Sequence, residues 1–233
     1  QSLVTATPNV ITSITNGCLV MPRGSLDLTG WSYLERLDLS SSQLTRLPRL
    51  PPSIKHLILD NNPLMFLTFH EEEGPFKLPL LETFSCRATF IEARGLLEIT
   101  GSSIRAKNLK SLSIGNRQIC STLKLAVSEE YPACPTLEEL SLAFLNLKDE
   151  RVLEILDLYP QLKRIDLSGT FITGVTVRAL VEKGVQWIRV NECYHISHDA
   201  IDMARGKGVC IIFNFSNETR PRRSFVDSLA TRS

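Results

Sequence analysis

Apolar residues recur along this chain in one short motif: apolar, two residues, apolar, one residue, apolar. It reads Leu34–Leu37–Leu39, Ile54–Leu57–Leu59, Leu81–Phe84–Cys86 and Leu109–Leu112–Ile114. It continues as Leu137–Leu140–Leu142, Leu162–Ile165–Leu167 and Val185–Ile188–Val190. The first residues of successive copies lie 20, 27, 28, 28, 25 and 23 positions apart. A further apolar residue closes most copies: Leu44, Leu64, Ile91, Ile119, Leu147 and Ile172. The last two apolar positions of each motif alternate with the period of a strand, so they enter a core while the residues between them face solvent. One copy cannot bury its leucines alone, so the copies must stack and their strands must pair in parallel. The pattern predicts strands near residues 36–39, 56–59, 83–86, 111–114, 139–142, 164–167 and 187–190.

This spacing matches the leucine-rich repeat, whose period is about 20–29 residues. The expected fold is therefore α/β: a leucine-rich repeat solenoid with a curved parallel sheet on its concave face and irregular or helical return segments on its convex face. Pro48, Pro51 and Pro52 forbid a helix in the first return segment. Later units have room for one, and helical returns are expected from about residue 92 onward. "DERVLEILDLYP" sets Val152, Ile155, Leu156 and Tyr159 on one face with Asp149 as N-cap. "GVTVRALVEKG" and "SHDAIDMARGKG" read alike, the second capped by Ser197 and stopped near Gly206 or Gly208; "CSTLKLAVSEEYP" reads as a further helix. Ser42 and Asn62 fill the turn position that in such repeats bonds the backbone leaving the strand. Later units put Thr89, Arg117, Leu145, Thr170 and Cys193 there.

Both ends of a solenoid need covering. Residues 1–33 read as an N-terminal cap holding a degenerate repeat, with Trp31 over the edge; 34–215 as the solenoid; and 216–233 as a basic C-terminal tail with Arg220, Arg222, Arg223 and Arg232. "GVCIIFNF" reads as a last buried strand. The start at Gln1, with no leader, reads as a domain cut from something longer.

Composition narrows the class. The 233 residues include 35 leucines, with 43% hydrophobic residues and a net charge of +1. A disordered chain would be poorer in apolar residues and more highly charged, and a nucleic-acid clamp would be basic overall. No apolar run approaches the roughly 18 residues of a membrane-spanning helix, so no membrane partner is expected.

The second half carries a more particular likeness. "CPTLEELSLAFLNLKDERVLEIL", "YPQLKRIDLSGTFITGVTVRALVEKG" and, most closely, "VQWIRVNECYHISHDAIDMARGKGV" resemble the cysteine-containing leucine-rich repeat, over about residues 134–213. Cys193 takes the variant turn position and Ile196–Ser197 opens the helix. This repeat is characteristic of F-box proteins, the substrate receptors of cullin-type ubiquitin ligases. With "LPPSIKHLILDNNPL" in front, the array is also similar to fungal receptors that join a tetratricopeptide region, an F-box and leucine-rich repeats and act in replisome disassembly. The resemblance implies a protein substrate on the repeats, a ligase adaptor on an F-box N-terminal to this chain, and a nuclear or cytoplasmic location.

Chemistry-bearing motifs are few. The six cysteines, Cys18, Cys86, Cys120, Cys134, Cys193 and Cys210, are scattered over separate repeats, which suits reduced, small core residues without disulfides. Asn214-Phe-Ser and Asn217-Glu-Thr fit the glycosylation triplet, which chance often supplies. Cys193, His195 and His198 could begin a metal site, but the repeat pattern accounts for Cys193 and no second pair lies nearby. No nucleophile elbow, phosphate loop or dinucleotide glycine motif occurs. No catalytic residue, cofactor or metal is expected, and function should lie in a surface.

The strand residues between the leucines form columns on the concave face. The first runs Arg36, His56, Thr83, Ser111, Glu139, Arg164, Trp187, and the second Asp38, Ile58, Ser85, Ser113, Ser141, Asp166, Arg189. Two further columns, later along the strand, carry Ser40 to Asn191 and Ser41 to Glu192; Phe144 belongs to the last. The middle of the face is small, with Ser85, Ser111, Ser113, Gly115, Ser141 and Ala143; its C-terminal flank holds Phe144, Arg164, Trp187 and Arg189. Trp and Arg are favoured interface anchors, so the expected protein-binding set is these four with Asp166, Asn191 and Glu192. The alternative for either ring is packing into a loop or under the C-terminal tail. Competing functions are regulation of a small GTPase, against which the uneven repeats and basic tail argue, a general interaction scaffold, and nucleic-acid binding, which Glu139, Asp166 and Glu192 interrupt.

Overall fold

The computed structural model describes residues 27–64, 78–89, 108–115 and 134–214, and the backbone of residues 12–14. These form one sheet of nine parallel strands in chain order: β1 Thr12–Ile14, β2 Arg36–Asp38, β3 His56–Ile58, β4 Thr83–Ser85, β5 Ser111–Ser113, β6 Glu139–Ser141, β7 Arg164–Asp166, β8 Trp187–Arg189 and β9 Cys210–Ile212. The seven strands expected from the leucine motif all occur, each starting where the spacing placed it and ending one residue sooner. Their register is the register of the motif: Leu37 lies beside Leu57, Leu57 beside Phe84 and Leu112 beside Leu140. From β3 to β6 the central residue of each strand is buried and its neighbours are half-buried. The leucines and isoleucines behind the sheet form one continuous core from Leu28 to Ile211. The chain is a leucine-rich repeat solenoid.

A strand of three residues has few hydrogen bonds of its own, so the repeats are tied together at both strand ends. Before the strand, two successive amides donate to one carbonyl of the previous repeat, as Lys55 and His56 do to Glu35 O. After the strand, the chain turns through a left-handed residue: Ser41, Asn61, Ala88, Phe144, Gly169 and Glu192 have φ between 52° and 68°. Only Gly169 takes this conformation freely; for the others it costs roughly 1–2 kcal/mol. Each corner amide donates to the next repeat, Ser41 to Asp60 O, Asn61 to Arg87 O and Phe144 to Ser168 O, which continues the ladder around the bend.

The turn position works as expected, and more widely. The Asn62 amide is buried and donates to Leu39 O, Leu59 O and Asp60 O, while its Oδ1 accepts from the Ser42 and Leu44 amides. Thr89 and Thr170 keep the inward bond, donating to Cys86 O at 2.9 Å and Leu167 O at 2.6 Å. Cys193 Sγ reaches Leu167 O at 3.1 Å. The device therefore persists through Thr and Cys, and lapses at the buried Leu145.

The first return segment is irregular, as its prolines require. The later ones form α1 Asp149–Asp157, α2 Gly174–Glu182 and α3 His198–Gly206. Val152, Ile155 and Leu156 are buried beneath α1, and Tyr159 just beyond it. Ser197 caps α3 by accepting from the Ala200 amide, and the chain leaves that helix through Gly208 at φ 80°. The helices expected from residue 92 to 107 and in "CSTLKLAVSEEYP" lie outside the described residues.

Three expectations are corrected. Asp149 does not cap its own helix; Lys148 holds that position and makes no side-chain cap bond. Asp149 instead reaches across to the start of α2. Its Oδ1 accepts from the Thr173 amide and from the Thr176 amide and hydroxyl, and its Oδ2 accepts from the Thr173 hydroxyl. A carboxylate there also meets the positive end of the helix dipole. Trp31 does not cover an edge. It occupies the entry turn, where Leu34 N donates to Trp31 O as Leu81 N does to Leu78 O and Leu137 N to Cys134 O, and the sheet continues past it to β1. The expected last strand is β9, which repeats the pattern of β2 and β7 with its middle residue, Ile211, buried. Cys210 at its start is exposed, unlike Cys86, Cys134 and Cys193.

Two outcomes follow for stability. Asn62→Ala should cost about 3 kcal/mol in urea unfolding, because it strands several buried backbone groups at roughly 1 kcal/mol or more each; Thr170→Val, losing one bond, should cost about 1 kcal/mol. Burial opposes ionisation of Asp149, but its bonds from Thr173 and Thr176 prevail and hold its carboxyl below the ordinary aspartate value. Its stabilisation is therefore complete above the unfolded aspartate value of about 3.9 and is lost as the pH falls through the lower folded value. The gap in urea midpoint between the wild type and Asp149→Asn should be wide at neutral pH and close in acid.

Candidate functional site

The concave face divides into two halves. In the front half most polar side chains partner each other, the exposed Arg36 apart. His56 Nδ1 lies 2.8 Å from Thr83 Oγ1. Asp60 is buried and accepts from the Ser85 hydroxyl and from the Arg87 amide, Nε and Nη2, at 2.6–2.8 Å. That network closes the surface around a satisfied carboxylate.

The back half is less complete. Parallel pairing sets Glu139 beside Arg164 and Arg164 beside Trp187 in one column, and Ser141 beside Asp166 and Asp166 beside Arg189 in the next. Arg164 pairs with Glu139 at 3.3 Å and Arg189 with Asp166 at 3.6 Å. The Arg189 guanidinium also lies 5.0 Å from the centre of the Trp187 ring, within the range of a cation–π contact. Its Nε is buried and meets no hydrogen-bond acceptor among the described residues. A hollow of about 170 Å³ opens here, lined by Ser111, Ser113, Ser141, Asp166, Arg164 and Trp187 among others. The small serines leave the space, and the larger groups wall it.

Four of the seven expected residues thus converge: Arg164, Asp166, Trp187 and Arg189. The other three sit at the corners. Phe144 is five residues farther along its repeat and two strands away from Trp187, and the two strand spacings alone separate them by about 10 Å. Its left-handed backbone swings the ring over Gly169, where an added Cβ would come within 2.2 Å of Phe144 Cδ1. The alternative of packing into a loop is the one Phe144 follows. Asn191 and Glu192 frame the last corner: Asn191 Oδ1 accepts from the Asn214 amide, and the Glu192 amide donates to Asn214 O.

Two features escape the column reading. Asp166 Oδ1 accepts from both the amide and hydroxyl of Ser168, which fixes the carboxylate; Asp38 and Ser40 repeat this arrangement. The signal is Asp-x-Ser across the strand end in both units. The second is a charge ladder at the residue after the first leucine, reading Glu35, Lys55, Glu82, Lys110, Glu138, Lys163. Lys55–Glu35, Lys110–Glu82 and Lys163–Glu138 pair at 2.8, 3.0 and 2.9 Å. The bond from Lys110 holds the Glu82 carboxyl below its usual value, and the bond to Glu35 raises Lys55. Such exposed pairs contribute about 0–1 kcal/mol each.

No family model and no curated protein matches the chain. Among solved structures, it is similar to an internalin of Listeria monocytogenes, at 14% sequence identity and a TM-score of 0.40. The match covers 82% of this chain and 64% of that one, so the chain spans less than two thirds of the internalin's length.

The packing of Phe144 on Gly169 is open to a double-mutant cycle. Gly169→Ala should cost about 2 kcal/mol, combining left-handed strain with displacement of the ring. In a Phe144→Ala background the cost should fall to about 1 kcal/mol, the backbone part alone. Equal costs in both backgrounds would place the ring elsewhere.

Proposed function

We propose that the chain is a protein-recognition module that binds its partner on the C-terminal half of the concave face. The observation that carries this is the contrast between the two halves. The buried carboxylate of the front half, Asp60, is spent on its neighbours, whereas Trp187 and Arg189 stand half-buried at a hollow with hydrogen-bonding capacity left over. An aromatic ring and a guanidinium at the rim of a pocket are the groups on which interfaces concentrate their energy. The work of such a module is placement, and it needs no catalytic group.

In the finer form of this proposal, the bound protein is the substrate of a cullin-type ubiquitin ligase and the chain is the substrate-binding domain of an F-box receptor. The cysteine-containing repeat pattern over residues 134–213 supports that form. Holding a substrate near the ligase raises the effective concentration of its lysines at the transfer site. A nuclear or cytoplasmic location belongs to the same proposal, and replisome disassembly is its narrowest version.

The test combines a photo-crosslinking residue at Ser113 with the same residue at the convex-side Arg178, in extracts of the source cells. A discrete protein adduct from Ser113 alone is expected, and its yield should fall at least about thirtyfold, the equivalent of about 2 kcal/mol, in Trp187→Ala and Arg189→Glu variants that keep the wild-type circular dichroism and melting temperature. Equal adducts from both positions, or full yield in both variants, would overturn the reading. The finer form requires that the cullin and its adaptor co-purify with the full-length protein; their absence would remove the ligase and leave the recognition surface.

A further inference from the structure

The charges around the hollow are not evenly spread. Each acid lies one strand closer to the N-terminus than its basic partner: Glu139 before Arg164 and Asp166 before Arg189. The hollow opens over the strands on the acidic side, so both carboxylates line it but only one of the two guanidiniums does. That guanidinium, Arg164, is 64% exposed and already paired with Glu139. An incoming anion would meet two carboxylates there.

The acceptors that line the hollow point the same way, the unpaired Arg189 Nε lying outside its lining. Ser168 occupies Oδ1 of Asp166 and fixes the carboxylate plane. Oδ2 is left with Arg189 at 3.6 Å, beyond hydrogen-bond length, although the Asp166 side chain is only 19% exposed. It faces the open hollow, so an incoming donor can reach it without breaking an existing hydrogen bond. The hydroxyls of Ser111, Ser113 and Ser141 make no hydrogen bond among the described residues and can accept as well. The space, about 170 Å³, has the room of one long side chain and too little for a helix.

We propose that this hollow is a socket for a single lysine or arginine side chain of the bound protein, its charged end donating to Asp166 Oδ2 and the serine hydroxyls and its apolar stem lying against Trp187. This rests on the recognition reading above and adds the chemistry of the group recognised. Arg189 keeps its place over the ring, and the acid-to-base order of the two columns sets the direction from which the cation enters.

The probes are capped tripeptides, acetyl-Gly-Lys-Gly-amide and its Arg, Leu and Glu counterparts, added to the chain while the indole N–H resonances are followed by NMR. The chain has two tryptophans, and Trp187→Phe identifies which signal belongs to the hollow. The Lys and Arg peptides should shift the Trp187 signal saturably and leave that of the buried Trp31 unmoved. Asp166→Asn should weaken this at least about tenfold, the loss of a charge-assisted bond, and Ser141→Leu, which fills the floor, should abolish it. Equal shifts from the Leu or Glu peptide, an unchanged response in Asp166→Asn, or no shift with any peptide would overturn the socket. If the crosslinks from Ser113 persist when the socket fails, the surface stands and only its cation specificity is wrong; if both fail, the recognition reading falls with it.

Discussion

Every leucine at the centre of a strand in this chain depends on a neighbour for its burial. A strand of three residues cannot shelter its own middle side chain, and a single turn of the solenoid has no inside. Stability is therefore a property of adjacent pairs, and the structure spends its polar groups on fixing those pairs. Carbonyls before each strand receive two amides from the next repeat, left-handed corners carry one more bond across, and Asn62 spans two repeats from within the core. The strained corner residues are tolerated because their amides serve the next repeat. Local cost and neighbour gain are set against each other at every turn.

The same stacking makes the concave face a grid. Because the register is the register of the leucines, a residue's position in its motif fixes its row and its strand fixes its column. Groups more than twenty positions apart in sequence, such as Arg164 and Trp187, become direct neighbours with no loop to position them. A rigid grid of this kind suits recognition: its spacings are those of the backbone, so little ordering remains to be done when a partner binds.

The strands, the core and the first two columns were legible in the sequence because they follow from a physical period. What was not legible depends on geometry that the period does not carry. Asp149 stands where an N-cap should stand, and only the stacked neighbour reveals that its carboxylate serves the next helix. Phe144 falls in a concave column by counting, but the left-handed bend at that position turns it onto Gly169. Cys210 was counted with the core cysteines, but it shares its motif slot with Arg164 and Trp187 and, like Arg164, is exposed. Trp187, Arg189 and Asp166 were placed correctly because they lie within strands, where alternation alone decides which way a side chain faces. The Asp166 oxygen that faces the hollow was out of reach, since it depends on which of the two carboxylate oxygens Ser168 occupies.

The alternation of Glu and Lys along the strand entrances bears on how such an array can change in length. Each acid pairs with the base of the following repeat, so the repeats are matched in twos. Excision of the unit around Phe84 would set Lys55 against Lys110, and excision of the unit around Leu112 would set Glu82 against Glu138. Like charges directly opposite each other are unfavourable by amounts similar to what the present pairs contribute. Removal or duplication of two consecutive units leaves the order intact. The ladder gives the solenoid a parity, and growth or shortening by even numbers of repeats is the course that its electrostatics favour.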